Sequence, residues 1–315
     1  MGYRIGVDLG GTNMAAGLLN DRYEIVARKT IRTRQNALPE QIAEDMTQLI
    51  TELCESAGAD KESIELVGIG VPGSVTDEGV VEDANNIGFF DVPFGAMMRE
   101  RTGFPVQMIN DARAAALGEY VAGAGKGSET FQMLTIGTGV GGAFIVDGRV
   151  IAGCNGAAGE IGHMVIKQGG VPCNCGRRGC LEAYASASAL KTRLQEAVGQ
   201  EPSSLMWELC GQRMDYLSAK TLFRALEEKD SLAQEIFAEY IEYLAEGIAN
   251  IINALQPDVF CIGGGMSEQK EKLLAPLRKS VAGKIYSQHS KIQTRLVAAE
   301  LGNDAGIIGA AYKNN

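Results

Sequence analysis

The sequence is poor in aromatic residues, in proline and above all in histidine. Aromatic side chains make up 6% of the 315 residues, with one tryptophan, eight prolines and two histidines, His163 and His289. Long apolar runs are missing too, because no stretch reaches the roughly 18 apolar residues of a membrane helix. Arg4 and Asp8 interrupt the N-terminal apolar residues, which argues against a signal peptide. We therefore expect a cytoplasmic protein with no membrane partner.

Positive charge is also scarce. Lysine and arginine total 29 against 39 aspartates and glutamates, for a net charge of -10, which argues against a nucleic-acid partner. The seven cysteines, three of them clustered, indicate a reducing compartment rather than a disulfide framework. With 45% hydrophobic residues, the chain can form one large domain or two packed lobes.

One imidazole and three thiols lie within eighteen positions of each other: His163, Cys173, Cys175 and Cys180. One nitrogen and three sulfurs complete the tetrahedral shell of a structural zinc, and the glycines between them prevent the loop from packing a core of its own. Unligated thiols or an oxidised pair remain the alternative.

Two carboxylates, Glu160 and Glu182, bracket the cluster without matching any usual ligand spacing. They are either solvated surface residues or, in a rigid loop, polar groups that bind a polyol.

The chain uses one strand pattern twice, about 130 residues apart. Strands are predicted over 3–9, 14–19 and 23–31 around a glycine turn, and again over 131–136, 143–146 and 149–151. Residues 74–95 are predicted as an irregular loop, and further helices and strands follow each meander. A repeat of domain length predicts two lobes of like topology with a cleft between them.

The glycine turns suggest a phosphate site. Residues 137–142 match the dinucleotide pattern GxGxxG, but a strand rather than a helix follows, so that interpretation fails. Residues 123–128 lack the spacing of a Walker loop. Glycine lets backbone amides approach a phosphate, and Thr12 and Thr138 add hydroxyls at matching places. Tight hairpins are the alternative, but a third turn at 263–265 favours nucleotide binding.

A short strand at 106–109 delivers Asn110 and Asp111 to the start of a small-residue helix. An acid at a strand end that opens a helix is well placed to face a ligand.

These motifs together resemble the ROK family of the sugar kinase, heat-shock and actin ATPase superfamily, and within it the bacterial glucokinases. The matching segments are Asp8–Thr12, Asn110–Ala112, Gly137–Gly142, Glu160–His163 and Cys173–Glu182, and the resemblance spans essentially the whole chain. It implies an α/β, two-lobed actin-like ATPase (ribonuclease H-like) fold. The small lobe would take residues 1–115, completed by about 300–315, and the large lobe, with the zinc loop, residues 116–300.

The resemblance also implies ATP-dependent transfer of a phosphoryl group to the 6-hydroxyl of a hexose, glucose foremost, in glycolysis and carbohydrate metabolism. Asp111 would be the general base, Asp8 would serve Mg²⁺, and zinc would be structural. The implied sugar ligands are Asn86, Asn110, Asp111, Glu160, His163 and Glu182. The implied nucleotide and Mg²⁺ ligands are Asp8, Gly10, Gly11, Thr12, Asn13, Thr138, Gly139, Gly264 and Gly265.

Alternatives within the family stay open. N-acetylmannosamine, fructose and allose compete with glucose, because Phe89 follows Gly88 where glucokinases usually carry tryptophan. Polyphosphate could replace ATP as the donor. A sugar-sensing repressor is disfavoured, because the first strand begins at Tyr3 and leaves no room for a helix-turn-helix segment, and because the charge is wrong for DNA. The family suggests a homodimer or homotetramer.

Overall fold

The computed structural model describes residues 2–154 and 156–313, which form an α/β structure with three sheets. The strands are β1 (Tyr3–Leu9), β2 (Asn13–Leu19), β3 (Ile25–Arg32), β4 (Ile64–Val71), β5 (Ser74–Val75), β6 (Val81–Ala84), β7 (Phe89–Val92), β8 (Val106–Asn110), β9 (Thr130–Ile136), β10 (Val140–Val146), β11 (Arg149–Val150), β12 (Val259–Gly263) and β13 (Arg295–Ala298). The helices are α1 (Pro39–Ala57), α2 (Phe94–Thr102), α3 (Asp111–Ala122), α4 (Glu182–Ala185), α5 (Ala187–Gln200), α6 (Leu205–Leu209), α7 (Ala219–Glu227), α8 (Ser231–Leu255), α9 (Glu271–Ala282) and α10 (Asp304–Ala310).

The first sheet has the strand order β3-β2-β1-β4-β8. Strand β1 pairs antiparallel with β2 and parallel with β4, and β4 pairs parallel with β8. Ile5, Val7 and Leu9 of β1 are fully buried, as expected for a central strand. Asp8 is the acid on this strand, and β8 ends at Asn110, next to α3.

The second sheet repeats this arrangement in the order β11-β10-β9-β12-β13, so the duplicated strand pattern predicted from sequence is confirmed. The predicted glycine turn at 137–142 is too long, because β10 already begins at Val140 and only residues 137–139 connect the strands. Val140 buries its side chain, and this burial explains why the glycine-rich run forms a strand from Val140 onward.

A small third sheet, β5-β6-β7, lies where the sequence predicted an irregular loop over 74–95, and that expectation is wrong. Its strands are two to four residues long, too short to show a period of two in the sequence. Phe89 of β7 is fully buried and its ring centroid lies 5.1 Å from that of Phe94. The sheet is therefore anchored to α2 by an aromatic contact between residues close in sequence.

Glycines let α10 pack closely against α3. A methyl group added at Gly118 or Gly309 would overlap backbone atoms of Ala305 or Ala114 respectively. The same helix lies against the first sheet, where side chains at Gly6 and Gly68 would overlap the carbonyl oxygens of Ile307 and Ala310. Only glycine permits such close approach of helix backbone to helix and strand backbone.

The chain separates into two compact units. The first takes the described residues of Met1–Gln132, Ala143–Gly159 and Ala299–Asn315, and the second takes Met133–Gly142 and Glu160–Ala298. Each has its own buried apolar cluster, the first including Val7, Met46 and Phe89, the second Leu134 and Leu244. Among the described residues, no helix combines the length and apolar character needed to cross a membrane.

Candidate active site

Asn110 caps the helix that carries Asp111. Its side-chain oxygen accepts a hydrogen bond from the Arg113 backbone N–H at 3.1 Å, and its amide nitrogen donates to the Gly73 carbonyl oxygen at 3.0 Å. This satisfies one of the free N–H groups at the start of α3. One amide N–H and one lone pair of Asn110 remain available for a ligand.

Asp111 is the first residue of α3, and protein atoms surround much of its carboxyl group although the residue as a whole is exposed. Its Oδ1 accepts the Ala112 N–H at 2.7 Å. The surrounding protein raises its pKa by desolvation, and the N–H groups of Ala112 and Asp111 oppose that shift. The result is a carboxylate whose basicity exceeds that of an ordinary aspartate.

Asp8 on β1 is half-buried, and its pKa is raised from 3.8 to about 6, first by desolvation and then by repulsion from the Asp111 carboxylate. Repulsion acts on both partners, so a cation close to either one relieves it. Gly306 of α10 leaves room beside Asp8, since an added methyl would lie 3.4 Å from the carboxylate. Aspartate oxygens are ligands of the kind Mg²⁺ prefers.

The first glycine turn, Gly10 to Asn13, is held by polar residues at the end of β3. The Thr33 hydroxyl donates to the Gly10 carbonyl at 2.7 Å, and the Gln35 amide donates to the Gly11 carbonyl at 2.6 Å. Thr12 and Asn13 themselves are exposed. Thr33 and Gln35 could not be identified from the sequence, because nothing in the local pattern shows that β3 ends beside this turn.

Gly11 lies against the backbone of Asn86, where an added methyl would come within 3.0 Å of the Asn86 carbonyl oxygen. The structure thus brings the first turn and the exposed Asn86 together.

Arg113 is a further residue that could not be identified from the sequence. Its guanidinium donates to the carbonyl oxygens of Gly156 and Ala158, and so holds the segment that leads to Glu160.

The second turn, residues 137–139, closes with a hydrogen bond from the Gly137 N–H to the Gly139 carbonyl at 3.0 Å. Thr138 at its tip is exposed. The Ala187 N–H donates to the Gly137 carbonyl at 2.8 Å, and the Val140 N–H donates to Glu182 Oε2 at 2.9 Å. The segment from Glu182 to Ala187 therefore supports the turn at both ends.

The third turn follows β12. Gly264 has φ of 79°, and an added methyl would overlap the backbone of Ile136. Both features require glycine there. The Ser267 hydroxyl donates to the Gly264 carbonyl at 2.7 Å, and Gly265 begins a 3₁₀ turn with its backbone exposed.

The four residues predicted to bind zinc come together. Their ligand atoms all lie within 4.8 Å of one another. Cys175 Sγ is 3.7 Å from Cys180 Sγ, and Cys173 Sγ is 3.6 Å from His163 Nδ1. Two sulfurs bound at about 2.3 Å in a tetrahedron lie about 3.8 Å apart, so the spacing fits a zinc ion and excludes a disulfide bond.

The loop has supports outside the four ligands. Tyr184 and Tyr243 pack with their ring centroids 4.3 Å apart, and the Lys167 ammonium donates to the Tyr243 hydroxyl at 3.0 Å. The Val171 N–H donates to the Tyr184 hydroxyl at 2.7 Å. These groups line a cavity of about 780 Å³ in the second unit that extends to Thr138 and Glu182. The two tyrosines could not be identified from the sequence, because their pairing depends on the docking of the loop on α8.

Known proteins resemble the chain over nearly its full length. The ROK family profile matches residues 4–313. A glucokinase of Thermotoga maritima is 39% identical over 98% of this chain and 95% of that protein. A glucokinase of Halalkalibacterium halodurans is 36% identical over 98% of this chain and 93% of that protein.

Solved structures also resemble the chain over nearly its full length. A ROK family glucokinase from Streptomyces griseus, in complex with glucose and AMPPNP, is 34% identical with a TM-score of 0.80 over 98% of both chains. A ROK hexokinase from Thermus thermophilus is 33% identical with a TM-score of 0.84 over 98% of this chain and 96% of that one. The predicted actin-like ATPase fold is thereby confirmed. With its own glycine turns, its Asn110-Asp111 pair and its histidine–cysteine cluster in place, the chain belongs to the ROK family.

Proposed function

We propose that the protein is an ATP-dependent hexokinase-type phosphotransferase, a glucokinase that transfers the γ-phosphoryl group of ATP to the 6-hydroxyl of glucose. The observation that carries this proposal is the position and the raised pKa of Asp111. It lies at the start of a helix, next to Asn110, and its pKa is raised by desolvation. The relatives named glucokinase, and the neighbour solved with glucose and AMPPNP, support the same assignment.

Asp111 acts as the general base. It accepts the proton of the attacking hydroxyl, and a raised pKa makes it a better acceptor near neutral pH. Phosphoryl transfer needs mainly positioning and charge stabilisation, because the transition state is loose. Asn110 donates its remaining N–H to the oxygen of the same hydroxyl.

The other sugar-binding residues are Asn86, Glu160, His163 and Glu182. In the zinc cluster, Nδ1 of His163 faces Cys173 Sγ. The ring orientation is thus set on the metal side, and Nε2 stays free to donate to a sugar oxygen. Zinc serves as scaffold, since four protein ligands leave no open position for catalysis.

The nucleotide phosphates are bound by backbone amides and hydroxyls of the glycine turns. The groups we assign to this role are Gly10, Gly11, Thr12, Asn13, Thr138, Gly139, Gly264 and Gly265. Asp8 serves Mg²⁺, which neutralises phosphate charge when bound.

We further propose a functional division into a lobe of residues 1–115 with 300–315 and a lobe of residues 116–300. The enzyme would work in the cytoplasm, at the entry of glucose into glycolysis, as a homodimer or homotetramer. These points rest on the resemblance to the family that the sequence motifs carry.

A coupled assay of ADP release tests the function. Glucose should give the highest kcat/KM in a panel with N-acetylmannosamine, fructose and allose, with Mg²⁺ and ATP present. A preference for another hexose would correct the substrate and leave the reaction class intact. No hexose-dependent ADP release from zinc-replete protein would contradict the proposal.

A further inference from the structure

Glu182 connects the metal-binding loop to the second phosphate turn. The residue stands two positions after Cys180 and opens α4. Its Oε2 accepts the Val140 N–H at 2.9 Å, and its Oε1 lies 3.8 Å from Cys173 Sγ. One carboxylate therefore contacts both a cluster cysteine and the residue that follows the turn 137–139.

Val140 is also held from its other side. Gly162, next to His163, packs so closely that an added methyl would overlap the Val140 carbonyl oxygen. Gly139 leaves the space that the carboxylate occupies, since a methyl there would lie 2.5 Å from Glu182 Oε2. The first and last segments of the metal-binding loop thus meet at one residue of the phosphate turn.

A hydrogen bond from a backbone N–H to a carboxylate is stronger than a bond between neutral groups. It fixes the orientation of the peptide between Gly139 and Val140, and with it the directions of the amides in the turn. Amides that already point toward a phosphate need no reordering when the phosphate arrives.

We propose that Glu182 is a positioning residue for the nucleotide, in addition to any contact it makes with sugar. It transmits the shape of the metal-binding loop to the turn that carries Thr138 and Gly139. The inference rests on the proposed function, because it assigns that turn to the phosphates of the nucleotide.

Binding of AMPPNP with Mg²⁺, measured by titration calorimetry without any hexose, tests the inference. Glu182→Ala should raise the dissociation constant of AMPPNP about tenfold, because the turn loses its charge-assisted hydrogen bond. Glu182→Gln keeps an oxygen that accepts the Val140 N–H but loses the charge, so its affinity for AMPPNP should fall less than that of Glu182→Ala. Glu182→Asp keeps the charge, but its carboxylate is one methylene too short, and its AMPPNP affinity should fall as in Glu182→Ala.

Glu160→Ala is the matched control. Glu160 is exposed, and among the described hydrogen bonds it takes part only through its carbonyl oxygen, which accepts the His163 N–H. Glu160→Ala should therefore leave AMPPNP binding unaltered, whereas the loss of a proposed sugar ligand should weaken glucose binding. If Glu182→Ala does not fold, the comparison of Glu182→Asp with Glu182→Gln decides.

The outcomes separate the two proposals. Equal AMPPNP affinity in the parent and in both the alanine and aspartate variants would overturn the positioning role, while glucokinase activity would stand. A folded parent protein that binds no AMPPNP would overturn the proposed function, and the positioning role with it.

Discussion

At the scale of single residues, Asp111 should be needed for chemistry rather than for sugar affinity. Asp111→Asn keeps the shape and the contact with the Ala112 N–H through its amide oxygen, but it removes the base. General-base catalysis typically contributes about 10²–10⁴-fold, so kcat should fall at least about 100-fold. The dissociation constant of glucose, measured by calorimetry, should change little.

Asp60→Asn provides the control for that substitution, because Asp60 is an exposed aspartate that forms no cap hydrogen bond. Its kcat should equal that of the parent. Near-parental turnover of Asp111→Asn would place the base elsewhere, and loss of glucose binding would make Asp111 a binding residue.

Asp8 should make stability depend on pH. Its folded pKa of about 6 exceeds the ordinary aspartate value of 3.8, so the folded state binds the proton more tightly than the unfolded state. The tighter proton binding contributes to the stability of the folded state. This contribution to stability is fully present below about pH 4 and is lost as the pH rises through about 6.

Asp8→Asn has no carboxyl group that can ionise, so the variant does not lose this contribution to stability as the pH rises. At pH 7 the variant should be more stable than the parent by on the order of 1–3 kcal/mol, and near pH 4 the difference should shrink toward zero. Urea unfolding without Mg²⁺ at both pH values measures this. An equal difference at the two pH values would show that the substitution acts through packing rather than through charge.

At the scale of elements, we expect the loop from His163 to Cys180 to depend on the proposed zinc ion for its stability. Cys175→Ser should remove zinc and lower the melting temperature together, because three ligands leave an incomplete site. For a chain of this size 1 kcal/mol corresponds to about 2 °C, so we expect a fall of at least about 5 °C.

Cys154→Ser is the matched control, since Cys154 is exposed and lies outside the cluster. Metal analysis should find about one zinc per chain in the parent and in this control. Metal-free parent protein with the same melting temperature would refute a structural zinc.

The contact of α3 with α10 should tolerate no side chain at Gly309. Gly309→Ala places a methyl on the Ala114 carbonyl oxygen, and the helices must separate to accept it. The expected loss is about 1–3 kcal/mol of unfolding free energy.

Gly199→Ala in α5 tests the same exchange where space exists, because the nearest atom to an added methyl is Met214 Cε at 3.9 Å. There alanine should stabilise by about 0.5–1 kcal/mol through reduced backbone entropy of the unfolded chain. Urea unfolding of both variants decides whether close packing, rather than helix propensity, keeps glycine at 309.

At the scale of the whole molecule, ligand binding should raise the thermal stability of the folded chain. A hexose at 100 times its dissociation constant stabilises by about 2.7 kcal/mol if it binds only the folded state. Glucose should therefore shift the melting temperature more than fructose or allose at equal concentration. Asp111→Asn should keep the shift, because affinity and chemistry separate at that residue. A panel in which no hexose shifts the melting temperature would contradict a sugar site.

The sequence alone determined the features that have a local signature. Alternating and buried apolar runs identified β1, β4, β9 and β12, because a strand period is written in consecutive residues. The position of Asp111, after a strand and at the start of a helix, could be predicted because a strand, an acid and a small-residue helix follow one another directly. The clustering of His163, Cys173, Cys175 and Cys180 could be predicted because the three cysteines are close in sequence, and the chain has only one other histidine.

Tertiary structure decided the contacts between segments far apart in the chain. The sequence does not show that Asp8 and Asp111 repel each other, that Thr33 and Gln35 hold the first turn, or that Glu182 accepts the Val140 N–H. The small third sheet could not be predicted either, since strands of two to four residues are too short to show the two-residue alternation of buried and exposed side chains. Residue pattern encodes which face of an element is buried, whereas the partner of that face depends on how the elements pack. The sequence was therefore sufficient to predict which residues are candidates for chemistry, whereas their positions relative to one another are decided by the folding of the chain.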